Sequence, residues 1–375
     1  MSFIYSPAMR GKEGEWSALR LLAPSVQQVI RPRMILPPAK GDAHPPLLAD
    51  ASSLGVLLHA RTLLSCWPVE RPIEFDIEYV EKALSPSNRQ KALRTLFDEA
   101  RSHGHVVIPV VDLASLARGL GPLYRVLAAG GPLTLRLTAA DLADPTTFES
   151  VTRQLSELDV EPAQNNLILD FGASDFSDVA ITASVIEGAI EDALETATWE
   201  TITFQGSSYP RQNPASPGDG ASVPRNEALA WQAASDTFAG TGESIIFGDY
   251  GADHAEVEFG PGGGRADPHL RWADADCWRV ERGSGRGKHT TQMRDVANRL
   301  RTFGTSPGPG MCRGDDFVDG LVNGTGGCGN PSIWRSMNMT RHITYVARQR
   351  ATALGISIAV PRTRKSPTQP SFVFT

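Results

Sequence analysis

Residues 72–80 read PIEFDIEYV, and their alternation decides the fold. Ile73, Phe75, Ile77 and Tyr79 fall on one side, and Glu74, Asp76 and Glu78 on the other. Period-2 alternation of this kind is a strand signature. The wet face of such a strand carries three carboxylates that repel one another, so the strand calls for cations opposite them. Seven further stretches read as short strands: FIYSPAMRGK, VIRPRMILPP, HVVIPVVDL, PLTLRLTAADL, NLILDFGAS, ETITFQGSSYP and SIIFGDYGAD. Helical periods lie between them. Trp16, Leu19 and Leu22 share a face, and 88–102 puts Ala92, Leu93, Leu96 and Phe97 on one stripe before Gly104, a helix stop. The same pattern recurs at 114–129, 146–158, 176–194 and 225–238.

Strand and helix in alternation with short loops predict a parallel sheet covered by helices. Repeated through residue 258, the pattern matches the length of a closed (β/α)8 TIM-like barrel of about 250 residues. A doubly wound open sheet is the alternative, but no GxGxxG follows the first strand. The predicted organisation is a barrel over 1–258, an extension packed on it over 259–360, and a frayed tail over 361–375. Residues 207–224, rich in Gly, Pro and Ser, read as a long mobile loop.

In such a barrel the outward strand face touches helices and must be apolar, while the other face points inward and lines the mouth at the strands' C-terminal ends. Leu133, Leu135 and Leu137 therefore point out and Thr134, Arg136 and Thr138 in. By the same parity Asp170, Gln205 and Ser207 point in, and Asp112 and Asp249 end their strands. The first two strands deliver Arg10, Lys12, Arg31 and Arg33. Arg31 and Arg33 are the natural partners of Glu74 and Asp76, because the second strand neighbours the third. Buried charges cost several kcal/mol each and their pairs roughly break even, so a charged barrel interior points to ligand binding or catalysis. A purely structural charge network is the competing reading.

The candidate chemistry follows from this set. Asp76 or Glu78 with Asp112 or Asp170 could serve as acid and base, one pKa raised by its like-charged neighbour. The same carboxylates could hold Mg²⁺. Lys12, Arg33 and Arg136 suit a phosphate or carboxylate on a ligand, with Asp249 beside them. There is no GxSxG and no HExxH, and none of the eight histidines falls at a mapped strand end. Cys312, Cys328 and His342 could be drawn around zinc, but no CxxC pair supports it and no metal site is assigned. In RGSGRGK, 282–288, Arg282, Arg286 and Lys288 sit on a Gly-rich loop that would suit phosphate on a nucleotide or nucleic acid, and Trp334 next to Arg335 could stack a base.

The bulk properties narrow the classes. The chain has 375 residues, 41% apolar and 21% charged, with a net charge of −6, which excludes a protein whose whole surface grips nucleic acid. No apolar run reaches the roughly 18 residues of a membrane span. The opening MSFIYSPAMRGK has no basic region before an apolar core, so no signal peptide is expected. Four irregularly spaced cysteines fit a reducing cytoplasm rather than a disulfide framework.

LRWADADCWRVERG at 270–283 and GNPSIWRSMNMTRHITYV at 329–346 resemble two stretches of the phage beta protein family, which is widespread in bacteria. YSPAMRGKEGEWSALRLLAPSV followed by IRPRMILPP is similar to that family's start, so the resemblance spans nearly the whole chain. Its specific residues are Trp278, Arg282, Gly283, Gly329, Asn330, Pro331, Trp334, Arg335, His342 and Thr344. The sequence departs at Arg341, where the family tends to carry a second histidine, so a role for paired histidines is not implied here. The family's name-giving member is a satellite-phage protein encoded beside a toxic gene. The resemblance therefore implies a cytoplasmic role in phage defence or toxin control and names no reaction. Three functions are compatible with the sequence. The first is a charged mouth that binds, and in one version hydrolyses, a phosphate- or carboxylate-bearing ligand. The second is a non-enzymatic antitoxin-like regulator of a co-encoded toxin or defence protein. The third is a nucleic-acid sensor.

Overall fold

The structure, a computed structural model, describes residues 3–38, 59–256, 259, 266–302 and 310–359. The predicted tail over 361–375 lies outside them, as does most of the Gly-rich stretch at 259–268. Eight parallel strands close into a barrel. They are β1 (Tyr5–Arg10), β2 (Arg33–Ile35), β3 (Ile73–Asp76), β4 (Val107–Asp112), β5 (Thr134–Thr138), β6 (Asn166–Gly172), β7 (Thr201–Gly206) and β9 (Ile245–Asp249). Closure runs through β9, whose Phe247, Gly248 and Asp249 register with Tyr5, Ser6 and Pro7 of β1. The eight predicted strands are the eight barrel strands, and the chain is a (β/α)8 barrel.

The outward parity explains the helices. Ala92, Leu93, Leu96, Phe97 and Ala100 are the buried stripe of the Pro86–Ser102 helix, and Phe97 meets Phe75 of β3 edge to face, centroids 5.9 Å apart. Burying large apolar side chains of this kind contributes roughly 1.5–3 kcal/mol each. The same parity puts Tyr5, Phe204 and Phe247 in one stacked row outside β1, β7 and β9.

The structure differs from the sequence expectation in two places. β3 stops at Asp76: Ile77 turns (φ −101, ψ 9) and caps a helix over Glu78–Ala83. Glu78 and Glu81 fall in that helix's first turn, where carboxylates favour helix over strand through the macrodipole. Tyr79 therefore leaves the outward face it would hold on a strand and turns to the mouth. Second, residues 207–224 are not loop throughout. Gly220–Pro224 is strand β8, which pairs antiparallel with β11 (Cys277–Arg282), itself paired with β10 (His269–Ala273).

That three-stranded sheet carries a second core. Leu270, Trp272, Met293, Val296, Leu300, Val318, Leu321 and Trp334 bury one another between it and the helices His289–Thr302, Arg313–Val322 and Pro331–Ala353. The last helix begins sharply: the Asn330 side chain accepts from the Ile333 amide (3.0 Å), and Pro331 takes the first helical position, where it lacks only an unused donor. This helix is shared. Trp334 belongs to the second core, while Met339, Ile343, Val346, Ala347 and Ala351 enter the barrel's core. It crosses the Glu13–Leu21 helix so closely that a Cβ on Gly14 would stand 2.7 Å from the Ser332 carbonyl oxygen, so only glycine fits there. No helix among the described residues is long and apolar enough to cross a membrane.

Candidate functional site at the barrel mouth

The inward residues form two polar levels. The lower one, toward the strands' N-terminal ends, is a closed network. Arg31 donates to Asn166 (2.8 Å) and lies 3.7 Å from Glu74, Thr134 donates to Glu74 (3.0 Å), and Thr201 donates to Asn166 (2.9 Å). The predicted Arg31–Glu74 partnership is present, but at this level rather than in the mouth.

The upper level opens into a cavity of about 400 Å³ at the strands' C-terminal ends. Arg33, Asp76, Glu78, Arg136 and Tyr250 line it, with Ile35, Tyr79, Ala255 and Glu256 completing the wall. Asp170 lies behind these, and four of its contacts are hydrogen bonds. It accepts from Arg33 (3.0 Å), Arg136 (3.3 Å), the Tyr250 hydroxyl (2.6 Å) and the Gly172 amide (3.1 Å). Arg136 also reaches Glu78 at 2.5 Å and stands 3.7 Å from Asp112. Asp112 marks the edge of the site, since its other oxygen caps the Leu113–Ala117 helix through the Ser115 amide.

Asp76 stands between the same two guanidiniums but hydrogen-bonds to neither. Its Oδ2 is 3.8 Å from Arg33 Nε and 3.6 Å from Arg136 Nε, and both Nε–H groups are buried without an acceptor among the described residues. Among the described residues its carboxyl has one hydrogen bond, a long one of 3.3 Å from the Glu78 amide. The two acids consequently titrate in opposite directions. Burial pushes Asp76 up, and the attraction of Arg136 and Arg33 does not fully offset it. Burial also works against Asp170, but Arg33, Arg136 and the Tyr250 hydrogen bond outweigh it and hold the carboxyl below its ordinary value. Arg33 and Arg136, raised above the guanidinium range by these acids despite burial, stay charged.

The rim holds a second cluster. Asp253, after β9, takes Arg10 (2.6 Å), Arg271 (3.0 Å) and Arg335 (2.6 Å). Arg335 also reaches the buried Glu15 at 2.9 Å. Lys12 lies over the Phe259 ring, 5.4 Å from its centroid, and Phe259 packs edge to face on Tyr79 of the cavity wall. Arg10 donates to the carbonyls of His254 (2.7 Å) and Glu256 (2.6 Å), fixing the segment whose Ala255 and Glu256 line the cavity.

The mouth thus gathers Asp76, Glu78, Asp170, Arg33 and Arg136, with Asp112 at its margin and Lys12 and Arg335 on its rim. Three predicted residues fall elsewhere. Asp249 shares parity with the outward Phe247, so it points away from the barrel interior. There it accepts from Tyr5 (2.5 Å) and His342 Nε2 (2.7 Å), and His342 stacks on Trp278 with centroids 4.5 Å apart. Burial lowers the His342 pKa against the pull of Asp249. Trp334 is core, 1% exposed, with its indole N–H donated to the Cys328 carbonyl, and cannot stack a base. Arg282 is tied to Asp267 (2.8 Å) and the Ala215 carbonyl and touches no mouth residue. Of the carboxylates a Mg²⁺ ion would need, Asp170 and Glu78 are hydrogen-bonded to guanidiniums, and no group of three ligating side chains gathers as a metal site among the described residues. Cys312, Cys328 and His342 have separate neighbours: Asp315, Thr290 and Asp249.

Reading the sequence missed Tyr250, Asp253, Glu15 and Arg271. Tyr250 was recoverable, because once Phe247 is outward the next-but-two residue points in. The others come from beyond a strand end, from a helix and from the extension, and no period links them to the barrel.

The fold and the site therefore define a (β/α)8 barrel with a charged mouth. The chain belongs to the beta protein family, whose model matches residues 5–348. No curated protein matches its sequence. Among solved structures it is similar to a mutant tryptophan synthase alpha-subunit from Pyrococcus furiosus, at 10% identity and a TM-score of 0.34 over 66% of this chain and 87% of that one. It is also similar to the Paramecium bursaria Chlorella virus arginine decarboxylase (10% identity, TM-score 0.36, 66% of this chain and 59% of that one). A third likeness is to the N-terminal domain of a putative aldolase from Bacteroides vulgatus (10% identity, TM-score 0.35, 67% and 76%). Likeness at this level bears on neither ligand nor reaction.

Proposed function

We propose that the barrel mouth binds a small polar ligand and transforms it by proton transfer through Asp76. The observation that carries this reading is the contrast between two carboxylates on the same pair of arginines. Asp170 takes the hydrogen bonds and holds Arg33 and Arg136 in place. Asp76 is left under-bonded, with a raised pKa, on the wall of an open cavity. Two carboxyls pushed apart in pKa are the arrangement by which one site supplies both a proton carrier and a fixed charge. Hydrolysis of a phosphate- or carboxylate-bearing ligand is the reaction class this acid–base pair suits. The setting we propose is cytoplasmic toxin control or phage defence, following the family.

A second reading has one observation in its favour: every mouth guanidinium already faces carboxylates, as in a network that only holds the fold. On that reading the protein is a non-enzymatic regulator that binds a co-encoded toxin. Thermal shift with nucleotides and phosphosugars, followed by turnover assays on any hit, separates the two. A ligand at 100 times its Kd adds about 2.7 kcal/mol. The expected result is a ligand that raises the Tm of both wild type and Asp76→Asn but is turned over by the wild type alone. Turnover undiminished in Asp76→Asn, or a panel silent for both proteins, overturns the proposal.

A further inference from the structure

We propose that the extension positions the barrel mouth through segment 249–256, with Arg271 and Met339 as positioning residues for Tyr250 and the cavity wall. This deepens the function proposed above and rests on it only for what the cavity does, since the coupling itself stands on contacts.

The segment has two faces. Tyr250, Ala255 and Glu256 line the cavity. Asp249, Ala252 and Asp253 face the extension instead. Asp249 meets His342 Nε2 at 2.7 Å. The Ala252 amide donates to Met339 Sδ (3.2 Å), and its carbonyl accepts from Arg271 (2.8 Å). Asp253 takes Arg271 (3.0 Å) and Arg335 (2.6 Å). The barrel holds the far end of the segment. Arg10 donates to the His254 and Glu256 carbonyls, and the Ser207 hydroxyl donates to the Asp253 carbonyl (3.1 Å). Among the described residues, the hydrogen bonds of the Ala252 backbone go to the extension alone.

The turn at Gly251 passes this hold on to Tyr250. Gly251 has φ +61, a left-handed conformation that favours glycine, and a Cβ there would stand 2.6 Å from Met339 Sδ. Its amide donates to Asp249 Oδ1 (2.9 Å), on the carboxylate that also accepts from Tyr5 and meets His342. Tyr250 is thus flanked on both sides by residues that the Pro331–Ala353 helix touches. Its hydroxyl donates to Asp170 (2.6 Å) and accepts from Arg33 (3.1 Å), the two groups whose placement around Asp76 carries the proposed chemistry. The path from Met339 and Arg271 through 251–252 to Tyr250, and on to Asp170 and Arg33, is a chain of direct contacts. Support of this kind matters because a misplacement of about 1 Å at a reacting group can cost on the order of 100-fold in rate.

The test reads Tyr250 directly in the full chain, without a substrate. Fluorotyrosine is incorporated at the six tyrosines, and the Tyr250 fluorine resonance is assigned by its loss in Tyr250→Phe. Arg271→Gln and Met339→Leu are the strap variants. Met339→Leu removes the sulfur acceptor at nearly constant volume, so it keeps the test open if Arg271→Gln fails to fold. Val318→Ala, which truncates the second core away from the strap, is the control. The Tyr250 resonance should shift or broaden in both strap variants and stay in place in the control. Amide exchange across 250–256 should rise at least tenfold in the same two variants. A Tyr250 resonance unmoved by either strap variant, or moved as much by Val318→Ala, overturns the positioning role. Faster exchange at 250–256 with Tyr250 unmoved overturns it too, since the strap would then loosen without reaching the mouth. A ligand panel silent for wild type and Asp76→Asn would sink the acid–base reading and leave these readouts unaffected, so the two failures are distinguishable.

Discussion

Asp76→Asn and Asp170→Asn should change stability in opposite directions, although both acids face the same two arginines. Asp170 is 3% exposed, and its hydrogen bonds hold Arg33 at 3.0 Å and Arg136 at 3.3 Å. Removing its charge leaves Arg33 with Asp76 at 3.8 Å as its nearest acid. Breaking a buried pair on one side costs about 3–5 kcal/mol. Unfolding entropy of about 2.1 cal/mol/K per residue makes that a loss of roughly 4–6 °C in Tm for a chain of this size. The pH dependence has a fixed sign. The folded pKa of Asp170 lies below its unfolded value of about 3.9, so its contribution is complete above that value and is lost as pH falls through the folded one. Asp76 is the reverse. Its folded pKa is raised, so the ionised form is disfavoured in the folded protein and costs stability at neutral pH. Asp76→Asn should therefore melt at or above the wild type at pH 7, with the difference shrinking as pH falls through the folded pKa toward the unfolded one. The assay is calorimetric melting of three proteins between pH 7 and pH 4. An Asp170→Asn protein within 1 °C of wild type at pH 7, or an Asp76→Asn protein that melts as low as Asp170→Asn, would refute the assignment of roles.

Three further outcomes follow from packing and charge. Gly248→Ala should destabilise by about 1–3 kcal/mol in denaturant titration, because a Cβ there would stand 2.7 Å from the Phe204 carbonyl oxygen and 2.8 Å from that of Ser6, on both neighbouring strands. Trp334→Ala should cost about 3–5 kcal/mol in denaturant titration, since Trp334 is core and not ligand surface. Asp253→Asn leaves three arginines without their shared acid. Two of them, Arg271 and Arg335, come from the extension, so hydrogen exchange should rise across 266–302 at pH 7. The wild type should approach the variant only in acid, because the Asp253 carboxyl, which burial works against, is held far down by Arg271, Arg10 and Arg335.

The fold was legible because a parallel barrel repeats one physical rule eight times. The outward parity of Leu135, Leu137, Phe171 and Phe204 fixed Arg136, Asp170 and Gln205 inside without knowledge of any partner. The rule failed where strands end. Ile77 turns two residues before the alternation stops at Tyr79, so Tyr79 changes sides. At the end of SIIFGDYGAD the outward Phe247 carries Asp249 out with it, and the next residue, Tyr250, is the one that enters the site. Trp334 and Arg335 are adjacent in sequence, but on a helix they point to different surroundings, one into the second core and the other across to Glu15 and Asp253. Charge clusters assembled from separate elements, such as the one on Asp253, leave no local period to read.

The barrel contains its own control for whether the mouth charges are structural. The lower level, Arg31, Glu74, Thr134, Asn166 and Thr201, is just as polar, and none of its side-chain atoms is buried without a partner among the described residues. It is a network that holds the barrel and is complete. The upper level lies two positions further along the chain, from Arg31 to Arg33, from Glu74 to Asp76 and from Thr134 to Arg136, yet among the described residues it leaves Arg33 Nε and Arg136 Nε without acceptors and the Asp76 carboxyl with one long hydrogen bond. Each such orphan costs about 1–3 kcal/mol. A fold selected only for stability had the lower solution available a few ångströms away. The incomplete level is the one that opens into a cavity at the functional end of the barrel, and a group supplied from outside the chain is what would complete it.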